Sequence, residues 1–178
     1  MVKLVAFVLV LVSLKAQAGI YIEPYAGYLS TNYDTTVSGT YQGSAFTTDD
    51  TDTDSGVAFG GKLGYAIPFV AAGVDYLKAG DFSDLGPFLE VRLPVFLKFR
   101  ATYIMASEGE EEENGFTIEG SGVKVGFAFS LFANLTANVD YLMTTYDKMD
   151  GTIAGFDIDE IEVKRNAIMV GLGFPFEI

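Results

Sequence analysis

The sequence contains no histidine, no cysteine and no tryptophan among its 178 residues. Without cysteine there is no disulfide framework, and without cysteine and histidine there is no Cys/His metal site. Without histidine there is no Ser-His-Asp arrangement and no histidine general base, which excludes much of ordinary hydrolase chemistry. We therefore expect a protein that is not an enzyme and that has no cofactor and no metal centre.

Basic residues are also scarce, with 11 Lys and Arg against 24 Asp and Glu, so the formal net charge is −13. This acidity argues against a nucleic-acid partner, because nucleic acids are bound through basic patches. The hydrophobic share is nevertheless 49% and the mean hydropathy is +0.29. Such a combination indicates that acidic segments and apolar segments are separated along the chain.

The first 18 residues have the features of a targeting segment. Lys3 is followed by an apolar run over residues 4–12 and then by Ala16-Gln17-Ala18. A basic start, an apolar centre and small residues at the end are typical of a cleaved secretory signal peptide. The run is too short for a spanning helix, which needs about 20 residues. We assign residues 1–18 to a signal peptide and residues 19–178 to one domain.

From Gly19 onward the chain has eight segments in which large apolar residues alternate with small or polar ones. A period of two indicates β-strands. In the last segment, residues 166–178, the large apolar set is Ile168, Val170, Leu172, Phe174, Phe176 and Ile178. The apolar faces of all eight segments carry no charge, whereas the opposite faces are small, polar or charged.

The connections between these segments alternate between long and short. Three long ones, residues 30–54, 107–120 and 145–162, contain the acidic runs, and we expect them to be solvated loops. In the first of them, Asp50-x-Asp52-x-Asp54 has the alternating carboxylates of a calcium loop. It lacks the correctly placed glycine and the final glutamate, so a plain acidic loop is favoured. The alternation of connections is typical of an up-and-down meander.

The sense of the residue alternation predicts a membrane protein. A soluble barrel has apolar residues inside and charges outside. Here the charged faces are also rich in glycine and other small residues, which suits the confined interior of a barrel and not its outer surface. Spanning strands need about 9–11 residues and must close on themselves. We predict an all-β fold, an eight-stranded antiparallel up-and-down transmembrane β-barrel. Aromatic girdles are expected at its two rims, Tyr28, Tyr76, Tyr103 and Tyr141 at one and Tyr65, Phe69, Phe132 and Phe176 at the other.

The charged residues of the strands are predicted to face the barrel interior. An eight-stranded barrel is just wide enough to be filled by its own side chains, and buried charges must pair. We therefore expect a salt-bridge plug formed by Glu23, Lys62, Asp75, Glu90, Arg92, Lys98, Arg100, Lys124 and Asp140. The alternative is a narrow, porin-like ion path lined by the same residues.

The signal segment, the eight alternating segments and the final strand together resemble the small outer-membrane β-barrels of Gram-negative bacteria, the OmpA/OmpX-like barrels. The resemblance covers nearly the whole chain after residue 18, but as a pattern and not as a motif. It implies location in the bacterial outer membrane, contact with outer-membrane lipid and lipopolysaccharide, and a monomer. It also implies that Gly173, Phe176 and Ile178 form the signal read by the barrel assembly machinery, although the family usually ends in Phe.

What the resemblance leaves open is the role of the finished barrel. A non-enzymatic structural or surface-interaction role, with acidic extracellular loops, is the expectation. A narrow channel for ions or small solutes is the alternative.

Overall fold

The computed structural model describes residues 19–41, 44–93, 96–111, 116–132, 134–150 and 157–178. Within these residues the chain is a succession of strands: β1 (Gly19–Tyr41), β2 (Ser44–Ile67), β3 (Val70–Ala79), β4 (Phe82–Arg92), β5 (Leu97–Glu111), β6 (Phe116–Phe132), β7 (Leu135–Asp150), β8 (Asp157–Gly173) and β9 (Phe176–Glu177). No helix in this part of the chain is long and apolar enough to cross a membrane. The predicted signal peptide lies outside the described residues.

The strands form one closed antiparallel ring. Each strand from β1 to β7 pairs with the next in sequence, and β8 pairs with β1. The short β9 continues the line of β8 and pairs with β1 at Tyr21 and Ile22. The prediction of an eight-stranded up-and-down barrel closed between the first and last strands is confirmed.

The final segment is interrupted near its end. β8 stops at Gly173, and Pro175 lies between it and β9. Pro175 has no backbone N–H to donate to a ladder. Phe174 still donates its N–H to the carbonyl of Pro24 (2.9 Å), and Ile20 and Ile178 exchange both backbone hydrogen bonds (2.9 and 3.0 Å). The ring therefore stays closed past the break.

The two ends of the barrel differ. At the turn end, β2 and β3 are joined through Pro68 and Phe69, and β4–β5 and β6–β7 are also joined by brief connections. At the hairpin end, β1 and β2 reach Tyr41 and Ser44, and β5 and β6 reach Glu111 and Phe116. The β3–β4 connection at this end is only Gly80-Asp81, and Gly80 has a positive φ of 55° that glycine adopts without strain.

The prediction that the three acidic stretches are loops is wrong over most of their length. Residues 30–41 and 44–54 belong to β1 and β2, and strands likewise enter the ranges 107–120 and 145–162 from both sides. The final strand accordingly begins at Asp157 and not at Asn166. Aspartate disfavours strands by itself, but hydrogen bonds to neighbouring strands override that weak local preference.

Cross-strand side-chain bonds add to this effect in the β1–β2 hairpin. Thr36 donates to Asp49 (2.9 Å) and Thr51 donates to Asp34 (3.2 Å). Nearer the barrel, Thr53 donates to Asn32 (3.0 Å). These pairs lie on one face of the hairpin, where directly opposed residues stabilise a two-stranded ladder. The acidic stretch is therefore ordered as a hairpin.

Candidate functional site: the ion-paired barrel interior

The barrel interior holds the charged side chains of the spanning strands. All nine residues predicted to face it do so, and seven are buried: Glu23, Lys62, Asp75, Glu90, Arg100, Lys124 and Asp140. The other two, Arg92 and Lys98, are half-buried, with side chains 11% and 12% exposed near the turn end. The structure thus collects the predicted residues in one place and assigns them partners.

One group of ion pairs is centred on Glu23 of β1. Lys62 of the neighbouring strand lies 3.1 Å from its carboxylate. Arg100, on the opposite side of the ring in β5, approaches the same carboxylate at 3.7 Å. Arg100 also donates two hydrogen bonds to Asp140 of β7, at 2.6 and 2.5 Å. This bidentate arginine–carboxylate geometry is among the strongest forms of ion pair. It joins strands that are not neighbours.

A second group is centred on Asp75 of β3. Lys124 of β6 lies 2.6 Å from its carboxylate. Tyr25 and Thr102 donate their hydroxyl hydrogen atoms to Asp75 at 2.7 and 2.8 Å. Lys124 in turn donates to the Tyr25 oxygen (3.1 Å). The carboxylate of Asp75 is thereby satisfied from three other strands, as a buried charge requires.

The turn end has its own ion pairs. Arg92 bonds Glu90 (2.9 Å), Lys98 lies 3.9 Å from the same carboxylate, and Arg92 contacts Glu177 of β9. The Arg92 guanidinium also lies over the ring of Tyr21, 4.8 Å from its centroid. The sequence analysis left Glu177 outside the network, but β9 brings it to the mouth of the barrel.

The hairpin end contains a buried cluster that the sequence analysis did not identify. Arg165 of β8 bonds both carboxylate oxygens of Asp84 of β4 at 3.1 Å and the Tyr146 hydroxyl at 3.2 Å. Ser107 donates to Asp84 (2.5 Å) and lies 2.8 Å from the Tyr146 hydroxyl. The Arg165 guanidinium stacks on Phe82 at 4.9 Å. This cluster lies at the hairpin end of the interior, above the spanning segments.

The pKa values of this cluster follow from its burial and charges. Burial opposes ionisation of Arg165, but the Asp84 carboxylate outweighs it and holds the pKa of the guanidinium above its ordinary value. Burial raises the pKa of Tyr146. Burial also raises the pKa of the nearby Tyr33 phenol to about 12, against the opposing charge of Arg165. Arg165 is therefore held as a cation beside neutral phenols at neutral pH.

Two members of the cluster continue the alternation of their strands. Asp84 has the same parity as the inward-facing Phe88 and Glu90, and Arg165 has the parity of Ala167. Extending the period of two along β4 back to Asp84, and along β8 back to Arg165, identifies both. Ser107 does not follow this rule, because a register irregularity between Ile104 and Ser107 shifts the inward parity of β5.

The ion pairs of the interior are balanced in charge. Six acids take part, Glu23, Asp75, Asp84, Glu90, Asp140 and Glu177, and six bases, Lys62, Arg92, Lys98, Arg100, Lys124 and Arg165. Several buried polar atoms of the same region have no hydrogen-bond partner, among them Glu90 Oε2, Arg100 Nη1 and both side-chain polar atoms of Asn138. Ordinarily such atoms bind ordered water.

Small residues make room for these side chains. A Cβ on Gly126 would meet the Asp140 carboxylate and the carbonyl of Val139. A Cβ on Gly173 would lie 2.8 Å from the Thr136 hydroxyl and would contact the Glu23 carboxylate. Of the other two residues in the predicted assembly signal, Phe176 and Ile178 are exposed at the turn end.

The outward surface is apolar throughout the spanning part. Large exposed side chains from every strand contribute, including Phe59, Leu63, Leu89, Phe99, Phe127, Met143, Val170 and Leu172. Tyr28, Tyr76, Tyr103 and Tyr141 are exposed toward the hairpin end, and Tyr65, Phe69, Phe132 and Phe176 toward the turn end. A continuous apolar surface of this extent requires a non-aqueous neighbour.

The described residues include no group of three or more potential ligands that could hold a metal ion. The interior carboxylates are instead engaged by lysine, arginine, tyrosine and threonine side chains. Chemically, the arrangement ties distant strands together across the lumen.

Comparisons with known proteins show the fold. No family model and no curated protein matches the sequence. Among solved structures, the outer membrane protein AlkL, determined in DMPC lipid bilayers, is similar with a TM-score of 0.57 and 12% identity, over 90% of this chain and 91% of that one. The attachment invasion locus protein Ail of Yersinia pestis is similar with a TM-score of 0.53 and 11% identity, over 89% of this chain and 99% of that one. The resemblance to the OmpA/OmpX-like barrels is thus confirmed at the level of the fold, and the chain has the eight-stranded barrel fold of the small outer-membrane proteins.

Proposed function

We propose that this chain is an integral protein of the bacterial outer membrane, without enzymatic activity, that has a structural or surface-interaction role. The observation that carries the proposal is the pairing of charges across the lumen under a charge-free apolar exterior. Arg100 joins Glu23 and Asp140, and Arg165 joins Asp84, in each case between strands that are not neighbours. Balanced pairs of this kind support a barrel whose lumen is blocked. The surface-interaction role would then belong to the β-hairpins that extend from one end of the barrel.

The proposal of a non-enzymatic role rests on the chemistry of the side chains. The chain has no histidine. The buried carboxylates of Asp75 and Asp140 accept hydrogen bonds or ion pairs from neighbouring side chains. A lipid-modifying activity would change the mass of lipid A on overexpression, and we expect lipid A of unchanged mass.

The proposed partners follow from the apolar exterior and from the last strand of the barrel. The apolar exterior would contact outer-membrane lipid and lipopolysaccharide, and the barrel would be monomeric. Gly173, Phe176 and Ile178 would be read by the barrel assembly machinery after removal of residues 1–18. Replacing Phe176 with Ala should then lower the amount of folded barrel in the membrane, whereas Phe174→Ala, which changes an equally exposed neighbour, should lower it less.

Outer-membrane fractionation with heat-modifiable gel mobility tests the main proposal. A closed barrel resists detergent and migrates differently before and after boiling. We expect the protein in the outer-membrane fraction with such a shift. A soluble periplasmic product without a shift would overturn the proposal.

A narrow channel is the second candidate, and the buried atoms without a hydrogen-bond partner favour it. Inside the lumen, three buried atoms form no hydrogen bond and can bind water or a passing ion: Glu90 Oε2, Arg92 Nη2 and Arg100 Nη1. Planar-bilayer conductance separates the two candidates. A barrel whose lumen is blocked by its ion pairs should show no steady conductance. Steady channel openings that are abolished by replacing Arg92 or Lys98 would establish the channel and contradict the plug.

A further inference from the structure

The strand β2 has a long free edge at the hairpin end. Its pairing with β3 ends at Ala58 and Ala79, because the β3–β4 connection is short. Its pairing with β1 continues from there to Tyr41 and Ser44. Over residues 44–57, β2 therefore has one neighbouring strand among the described residues, and its residues 47–57 are all exposed. An edge of this length is a template for pairing with another chain.

The register identifies which backbone groups face the free side. In an antiparallel ladder, successive residues direct their backbone groups alternately to the two neighbours. The backbone groups of Ile20 and Pro24 in β1 form hydrogen bonds with Ile178 and Phe174, on the side of β8 and β9. The backbone groups of the odd-numbered residues of β1 therefore form hydrogen bonds with β2. Odd residues of β1 lie opposite even residues of β2, without a register shift. The N–H and C=O groups of Thr51, Thr53 and Ser55 consequently point to the free edge.

Those three N–H groups are occupied by aspartates of their own strand. Thr51 donates its backbone N–H to Asp50 Oδ1 at 3.0 Å. Thr53 donates in the same way to Asp52 at 2.8 Å, and Ser55 to Asp54 at 2.7 Å. The alternation that suggested a calcium loop places one carboxylate beside each successive edge donor.

We propose that Asp50, Asp52 and Asp54 cap the free edge of β2 and prevent a second copy of this chain from pairing with it. A second strand can add to an edge only if its carbonyls reach the N–H groups, and here carboxylate oxygens already accept from them. Threonine-rich strands with no proline or lysine are otherwise well suited to edge pairing. The acidic run thus has a structural task that its charge alone does not reveal.

Two sets of substitutions separate capping from charge. The variant Asp50→Ala/Asp52→Ala/Asp54→Ala removes both the acceptor and the charge. The variant Asp50→Asn/Asp52→Asn/Asp54→Asn keeps an acceptor oxygen at the same atom and removes only the charge. The control Asp34→Ala/Glu108→Ala/Glu119→Ala removes the same charge from exposed residues that have a paired strand on both sides.

The mass of each purified barrel in detergent micelles is measured by light scattering over a range of concentrations. We expect monomers for the original chain, the Asn variant and the control, and concentration-dependent dimers for the Ala variant. Heat-modifiable mobility checks that each variant is folded. A monomeric Ala variant, or an Asn variant that dimerises, would overturn the cap.

Two further measurements locate the effect. Because the chain has no cysteine, adding Thr53→Cys to the Ala variant should give a disulfide-linked dimer, and adding it to the original chain should not. Hydrogen exchange at the amides of Thr51, Thr53 and Ser55 should be slower in the monomeric original chain than in dilute Ala variant by about three- to tenfold, the effect of one modest hydrogen bond. Equal exchange rates would contradict the cap. These experiments use purified protein, so their outcome is independent of where the barrel resides in the cell.

Discussion

Arg165 and Asp84 face each other across the barrel mouth. They belong to β8 and β4, which are separated by three strands in either direction around the ring, and Arg165 Nη1 lies 3.1 Å from Asp84 Oδ2. Both side chains are buried, and the pair is supported by Tyr146 and Ser107. An ion pair of this kind fixes the separation of opposite walls in a way that backbone ladders between neighbours do not.

Removing one partner of this pair should be costly. Arg165→Met leaves the Asp84 carboxylate buried without its cation, and we expect a loss of about 3–5 kcal/mol in the free energy of unfolding. The double variant Arg165→Met/Asp84→Leu should lose less, because no unpaired charge remains. Urea unfolding followed by tyrosine fluorescence measures both. Lys164→Met breaks an exposed pair with Glu162 and should cost at most about 1 kcal/mol, so an equal loss there would refute the buried-pair argument.

Interior glycines should not tolerate a methyl group. Gly126→Ala places a Cβ against the Asp140 carboxylate, which Arg100 holds in position. We expect a destabilisation of about 1–3 kcal/mol, the usual cost of overpacking. Gly61 faces outward, and a Cβ added there would lie 3.9 Å from its nearest neighbouring atom. Gly61→Ala is therefore the matched control and should be nearly neutral. Similar losses for the two variants would argue against a tightly filled interior.

A lysine on the outward surface should be tolerated according to its depth in the bilayer. Leu63 lies midway along the apolar part of β2, whereas Val57 lies at the end toward the hairpins, and both are exposed. We expect Leu63→Lys to cost about 2–4 kcal/mol and Val57→Lys about 0–1 kcal/mol. Reversible folding into lipid vesicles measures the difference. If the two substitutions cost the same, the outward face does not lie in lipid.

The Tyr33 phenol should titrate late. Burial raises its pKa from 10.0 to about 12, so the folded state retains the proton through a range in which the unfolded chain releases it. The stability from this group is therefore complete below pH 10 and is lost as the pH rises through about 12. The difference between ultraviolet titrations of the original chain and Tyr33→Phe isolates this group. Because the Arg165 charge lowers the Tyr33 pKa, Arg165→Met should move the titration higher still, and a shift to lower pH would contradict that role.

The sequence by itself determined which side of each strand faces which environment. Side chains of a strand alternate strictly between two faces, so one charge-free apolar set repeated eight times identifies the outer surface. The same alternation placed Glu23, Asp75 and Lys124 inside. It also required closure of the last strand on the first, because open edges are not tolerated in lipid. These conclusions depend only on local geometry and on the solvent.

Only the tertiary structure decided which charges meet and how far the strands extend. Arg100 pairs with Asp140 two strands away and approaches Glu23 across the lumen, and such distances depend on the register and curvature of the closed ring. Asp50, Asp52 and Asp54 predict a loop from composition, yet they belong to a strand because β1 supplies its hydrogen bonds. Likewise, Asp84 and Arg165 have no relation in the sequence. Closing the ring brings them together, because a barrel places residues far apart in the chain on opposite walls of one narrow lumen.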